Sequence, residues 1–259
     1  MAGRMTALLL LCILMGCTGA GEDETGARAP ASSNFEAIDG YVPLFWDEDE
    51  GRLILKIDAF DAPFIYQSSL PRGIGSNDIG LDRGQLGDTR LVRFLRSGPR
   101  VLLVEDNLGY RALSDDPVER RAVDESFARS VIWGFDVASE SGGAVLVDAT
   151  AFFLRDAHGV AARLAEMGEG SYSADPNRSA IYLERTRGFP DNTEVEAIVT
   201  FGGRAEGPHL PTVTPDSTAV TVHIHHSFIR LPDDGYEPAA YDPRSGVIGM
   251  GWQRSGFVD

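Results

Sequence analysis

VTVHIHHSFIRLP (residues 220–232) alternates apolar and polar side chains over most of its length. In an extended strand successive side chains point to opposite faces, so Val220, Val222, Ile224, His226 and Phe228 share one face while Thr221, His223, His225 and Ser227 share the other. This period of two predicts a half-buried antiparallel strand with a polar outward face. It also divides the three neighbouring histidines, two to one side and one to the other.

His223 and His225 are therefore the candidate metal pair. A zinc site needs a third or fourth nitrogen, sulfur or carboxylate ligand. His158 and His209 are the other histidines of the chain, and its carboxylates are too numerous for any one to stand out. The residues read as the polar face of a sheet; the alternative is a metal-dependent hydrolase using His223, His225 and a carboxylate. No histidine is followed by glutamate, so the His-Glu-x-x-His helix of zinc peptidases does not occur, nor does a Gly-x-Ser-x-Gly elbow. On residues alone no catalytic site emerges.

Working outward, GYVPLFWDEDEGRLILKI reads as a hairpin around the acidic turn Asp47–Gly51, which lacks the alternating acidic pattern of a calcium loop. PFIYQSSL is a strand, and RGIGSNDIGLDRGQLGD a long glycine-rich ordered surface loop without the third glycine of a nucleotide fingerprint. LVRFLRSGPRVLLVED gives two more strands. Asp116 as N-cap, Pro117 at the first helical position and Glu119 after it predict a helix to about Arg129. SVIWGFDV and AVLVDATAFF read as strands. LRDAHGVAARLAEM reads as a helix with Leu154, Val160, Leu164 and Met167 on one side and His158 on its polar face. SAIYLERT and EVEAIVTFGG complete the strands. The expected fold class is α+β, mostly antiparallel sheet with two or so helices.

The N-terminus, MAGRMTALLLLCILMGCTGA, has a short apolar run ending Gly16-Cys17. It reads as a lipoprotein signal over residues 1–17, with Cys17 as the lipidated residue and Cys12 removed with the signal. A mature chain without free thiols has no disulfide framework. Residues 18–35, small, polar and acidic, read as a flexible tether, and 36–259 as one β-rich domain. The expected location is the cell envelope, with the membrane as partner through the lipid. A net charge of -16, with Lys56 as the one lysine, argues against nucleic acid.

Several of these segments, in order, resemble one family. GYVPLFWDEDEGRLILKI, IGSNDIGLDRGQ, RVLLVEDNLGYRA, ESFARSVIWGFDV, LVDATAFFLRDAHGVAARL, DPNRSAIYLERTRGFPDNTEVEAIVTF and VTVHIHHSFIRLPDDGYEPAAYDPRSG look like the N-terminal, non-catalytic region of large exported bacterial zinc-dependent metalloproteases. Those proteins carry domains of unknown function ahead of the peptidase. The resemblance implies a non-catalytic accessory domain with no cofactor of its own, the zinc lying in a peptidase portion beyond Asp259 that is missing or separately encoded. No zinc or catalytic residue of the family maps onto this chain. The apolar residues Val247, Ile248, Met250, Trp252, Phe257 and Val258 are expected to meet such a partner or to mark a truncated domain. Asp242-Pro243-Arg244-Ser245-Gly246 reads as a turn, with Arg244 as a candidate anchor for a partner carboxylate. A third reading is an envelope lipoprotein that binds a ligand or peptide at an exposed sheet edge.

Overall fold

The computed structural model describes residues 35–110, 112, 114–233, 235 and 244. The expected signal, Cys17, most of the tether and the apolar residues from Val247 onward lie outside the described residues.

Among the described residues thirteen strands join in one antiparallel sheet: β1 (Phe35–Ile38), β2 (Leu44–Asp47), β3 (Arg52–Ile57), β4 (Phe64–Arg72), β5 (Gln85–Ser97), β6 (Arg100–Glu105), β7 (Ser130–Ser141), β8 (Ala144–Asp148), β9 (Gly170–Ala174), β10 (Ala180–Ile181), β11 (Arg187–Phe189), β12 (Asn192–Ala205) and β13 (Ala219–Arg230). The spatial order is β1-β2-β3-β8-β7-β6-β5-β4-β13-β12-β10, with β9 and β11 also pairing with β12. β7 joins the two halves, pairing with β6 through its first part and β8 through its second.

The sheet curls until its ends face each other. Leu53 and Leu55 of β3 share a core with Phe64, Tyr66, Val195 and Phe228 of β4, β12 and β13, although β3 and β13 stand six places apart in the strand order. The seam is closed by hydrogen bonds: the Thr193 hydroxyl donates to the Val42 carbonyl and accepts from the Val42 amide, both at 2.9 Å. Twist and tilt of a long antiparallel sheet bring its two ends together. A second core lies under the far ends of β4, β12 and β13, where Val199, Phe201, Val222 and Ile224 pack against Ile79 and Leu164. The glycine-rich loop is ordered because Ile74, Ile79 and Leu81 point into this core.

The hairpin at Asp47–Gly51 forms as expected. The Asp47 carboxylate is used within the turn, accepting from the Glu50 amide at 3.2 Å and Arg52 Nη2 at 2.8 Å.

The α+β expectation is corrected: the fold is mostly β. The helices are α1 (Pro117–Ser126), α2 (Thr150–Phe153), α3 (Val160–Glu166) and α4 (Leu210–Val213), and none is long enough to form a layer. α1 has its expected cap, Asp116 accepting from the Val118 amide at 2.8 Å, but it ends at Ser126 and buries no side chain. The expected helix over LRDAHGVAARLAEM starts only at Val160, because Gly159 adopts φ +78°, a left-handed conformation that interrupts helical hydrogen bonding. The reverse error occurs just before it. Phe152 and Phe153, read as the end of a strand, form the single turn of α2 and are fully buried. Two adjacent phenylalanines can both be buried there because α2 plugs one end of the curled sheet, each contributing about 1.5–3 kcal/mol.

Candidate functional site

β13 places the three histidines as its alternation predicts. His226 points into the core; His223 and His225 point to the outer face. Their surroundings differ from the expected solvated polar face.

On the outer face β12 runs alongside with Glu194 and Glu196, which share the i, i+2 spacing of the histidines. Each histidine reaches the glutamate diagonal to it: His223 Nδ1 lies 2.6 Å from Glu196 Oε1, and His225 Nε2 lies 2.7 Å from Glu194 Oε2. The other ring nitrogen of His225 stands 3.7 Å from Glu196 Oε2, so the four side chains form a ladder. Ser227 Oγ donates to Glu194 at one end. At the other, Tyr182 meets His223 edge-on at 5.0 Å between ring centroids, and Arg72 lies over the Tyr182 ring at 5.3 Å. The face is roofed: His223 and Glu196 are buried and Glu194 is half-buried. Burial pushes the Glu194 carboxyl up, but hydrogen bonds from His225, Ser227 and Asn192 outweigh it and hold the group below its ordinary value.

On the inner face His226 is fully enclosed. Its Nε2 lies 3.1 Å from the Phe153 carbonyl, which only accepts, so Nε2 carries the proton and Nδ1 accepts from the Tyr66 hydroxyl at 2.8 Å. The Tyr66 oxygen in turn accepts from Arg155 Nη2 at 3.0 Å. Arg155 lies over the Phe152 ring at 4.6 Å. Burial holds His226 well below its ordinary value, helped by the positive charge of Arg155 and opposed by the hydrogen bond to Phe153. Burial likewise pushes the Tyr66 phenol up to about 12 and lowers Arg155.

His158, expected on a helix, sits in the loop before α3, its Nε2 3.5 Å from Gln85 Oε1, and burial lowers its pKa. His209 precedes α4, and its amide donates to the fully buried Glu169 carboxylate at 3.1 Å. Arg244 is exposed. Among the described residues no group of three or more His, Cys, Asp or Glu side chains is placed to hold a metal ion. The ladder instead suits charge-assisted hydrogen bonding between strands. The Glu-x-Glu of 194–196 against the His-x-His of 223–225 was the available signal for it, since equal spacing on neighbouring strands gives facing pairs. Tyr66 and Arg155 left no such trace, being 160 and 71 residues from His226.

A family model described as a domain of unknown function, DUF5117, matches residues 84–251. No curated protein and no solved structure matches the chain. The matched stretch begins at the start of β5, includes the ladder and His226, and covers well over half of the sequence; the chain belongs to the DUF5117 family.

Proposed function

We propose that this chain is a lipid-anchored, exported accessory domain, non-catalytic by itself, that works beside a zinc-dependent peptidase portion. The observation that carries this reading is the engagement of the histidines. His223, His225 and His226 each give a ring nitrogen to a partner within the fold, Glu196, Glu194 and the Phe153 carbonyl respectively. A hydrogen-bonded, roofed ladder serves strand pairing and register, whereas a hydrolytic centre needs side chains converging on a point a substrate can reach. The resemblance of the surrounding segments to the region ahead of metalloprotease catalytic domains supplies the association, and the Gly16-Cys17 junction supplies the anchor.

Two measurements test it. Zinc content and peptidase activity of the purified chain should both be at background. One tightly bound zinc per chain, lost in the His223→Ala/His225→Ala double variant, would replace the accessory role with that of a metal-dependent hydrolase. Cys17→Ser should release the chain from membranes; if it remains there after a high-salt wash, the lipid anchor is refuted.

A further inference from the structure

The first half of β7 is paired on one side only. Residues 130–136 lie against β6, whereas β8 pairs with Val137 to Ser141 and then leaves the ladder: Ala149 bonds to the Leu53 carbonyl and the chain turns into α2. In an antiparallel ladder the backbone groups of successive residues face alternate sides. The Val137 amide donates to the Pro99 carbonyl on the β6 side, so two and four residues back Phe135 and Trp133 face β6 as well, and Gly134 between them faces the other way. Among the described residues no strand meets Gly134 on that side. The edge is open: Gly134 is exposed and Val131 is 58% exposed. Unpaired backbone groups along a strand are a template for another extended chain.

Beside this edge lies a cation without a counter-ion. Trp133 and Phe135, on the inner face of the same half-strand, pack on Phe152 at 5.9 and 5.5 Å between ring centroids. Arg155 lies over the Phe152 ring at 4.6 Å, so one ring links the open edge to the guanidinium. Arg155 is half-buried and donates to the Tyr66 hydroxyl at 3.0 Å, but its Nε is buried without a hydrogen-bond partner. It pairs with no carboxylate among the described residues, in a chain with 39 acidic ones. Asp156, next in sequence, instead accepts from the Val160 and Ala161 amides at 2.8 and 2.9 Å. Arg90, on the inner face beside Tyr66, is already paired with Asp88 and Glu105. A partly buried guanidinium lacking a counter-ion is destabilising, and a carboxylate brought to it gains a charge-assisted hydrogen bond.

We infer that the first half of β7 binds an extended peptide by strand addition, with an acidic side chain of the peptide on Arg155. The backbone at Gly134 supplies the ladder bonds, and alternate side chains of the added strand face inward beside Trp133. A second copy of this chain fits less well, because two chains of net charge -16 repel where a short peptide with one carboxylate does not. The inference rests on the accessory role proposed above and deepens it, since a peptidase takes its substrates as extended chains. Binding is measured without any peptidase, and the zinc and peptidase assays that test the accessory role are separate from it.

The test is fluorescence anisotropy of the full chain with two fluorescein-labelled, C-terminally amidated peptides, Thr-Val-Thr-Glu-Thr-Val-Thr and its counterpart with Gln at the centre. The Glu peptide should bind saturably, about ten-fold more tightly than the Gln peptide. Arg155→Gln should bring the two to equal affinity. Gly134→Pro removes the edge N–H at a position where a strand tolerates proline, and should weaken both by about ten-fold. Amide exchange at Gly134 in the parent should slow at saturating Glu peptide, a readout that needs no substitution. Absence of saturable binding to the folded chain, equal affinity of the parent for both peptides, or unchanged exchange at Gly134 would each overturn the inference. Sedimentation showing a dimer that Gly134→Pro turns into monomers would make a second copy the occupant and overturn it too.

Discussion

The Tyr66 hydroxyl lies 2.8 Å from His226 Nδ1, a bond between β4 and β13 that fixes the tautomer of a histidine 1% exposed. With Nε2–H committed to Phe153, His226 has no site for a second proton without breaking a buried bond. Its folded-state pKa is lowered well below 6.5, so below pH 6.5 the unfolded chain takes up a proton that the folded chain refuses. Stability is therefore complete above pH 6.5 and falls as pH drops, by about 1.4 kcal/mol per pH unit for each such histidine. His158, also lowered by burial, contributes in the same direction. Urea unfolding at pH 7.5, 6.5 and 5.5 measures the slope, and His226→Gln should remove one proton's share of it. An unchanged slope in that variant contradicts the assignment.

Tyr66 should be among the last tyrosines to ionise, at about pH 12 against an ordinary 10. A raised phenol pKa contributes stability that is whole below pH 10 and is lost as pH rises towards the folded-state value. Tyr66→Phe should remove one late step of the alkaline absorbance titration. It also leaves His226 Nδ1 and an Arg155 N–H unpaired, a cost of about 1–3 kcal/mol by chemical denaturation.

Thr193→Val keeps the shape at the seam of the sheet but strips both hydrogen bonds from the Val42 backbone. The two peptide groups are buried, so a loss of about 2–4 kcal/mol is expected, with faster amide exchange at Val42. Exchange at Val42 equal to that of the parent would mean that the seam is held by packing alone.

In the ladder, Ser227→Ala removes one of the bonds that hold the Glu194 carboxyl low. NMR titration of that carboxyl should move upward in the variant. Because the folded-state pKa is depressed below 4.5, the contribution of Glu194 is present above pH 4.5 and lost as pH falls through the folded-state value. Ser227→Ala should therefore cost about 1 kcal/mol at pH 7, and less as pH falls through the folded-state value of Glu194.

Residues 84–251 by themselves should not fold. β4 lies between β5 and β13, and it supplies Phe64, Tyr66 and Leu70 to the cores, yet it precedes the family match. Removing a central strand leaves two rows of unpaired backbone groups and a gap in the apolar interior. Residues 35–251 should give a dispersed amide spectrum and residues 84–251 a collapsed one. A dispersed spectrum from the shorter piece would show that β5 and β13 can pair directly.

The local patterns of the chain determined most of its strands. Alternation in 220–230, the Asp47–Gly51 turn and the Asp116-Pro117 cap each rest on contacts within a few residues, where side-chain period and turn chemistry act directly. The sorting of His223 and His225 from His226 came from the same period. Other features depended on what lay opposite in space. Phe152 and Phe153 are helical because the curled sheet leaves an opening there for two rings, an environment that no local pattern encodes. Gly159 stops a helix whose apolar spacing runs through it, so the helical share was read too high. The partners of the histidines were settled by strand register: Glu194 and Glu196 come from β12, while Tyr66 comes from β4, 160 residues before His226. Propensity and periodicity are properties of neighbours along the chain. Burial, hydrogen-bond partners and the pKa values they shift depend on distant segments meeting, and only the curled sheet brings those together.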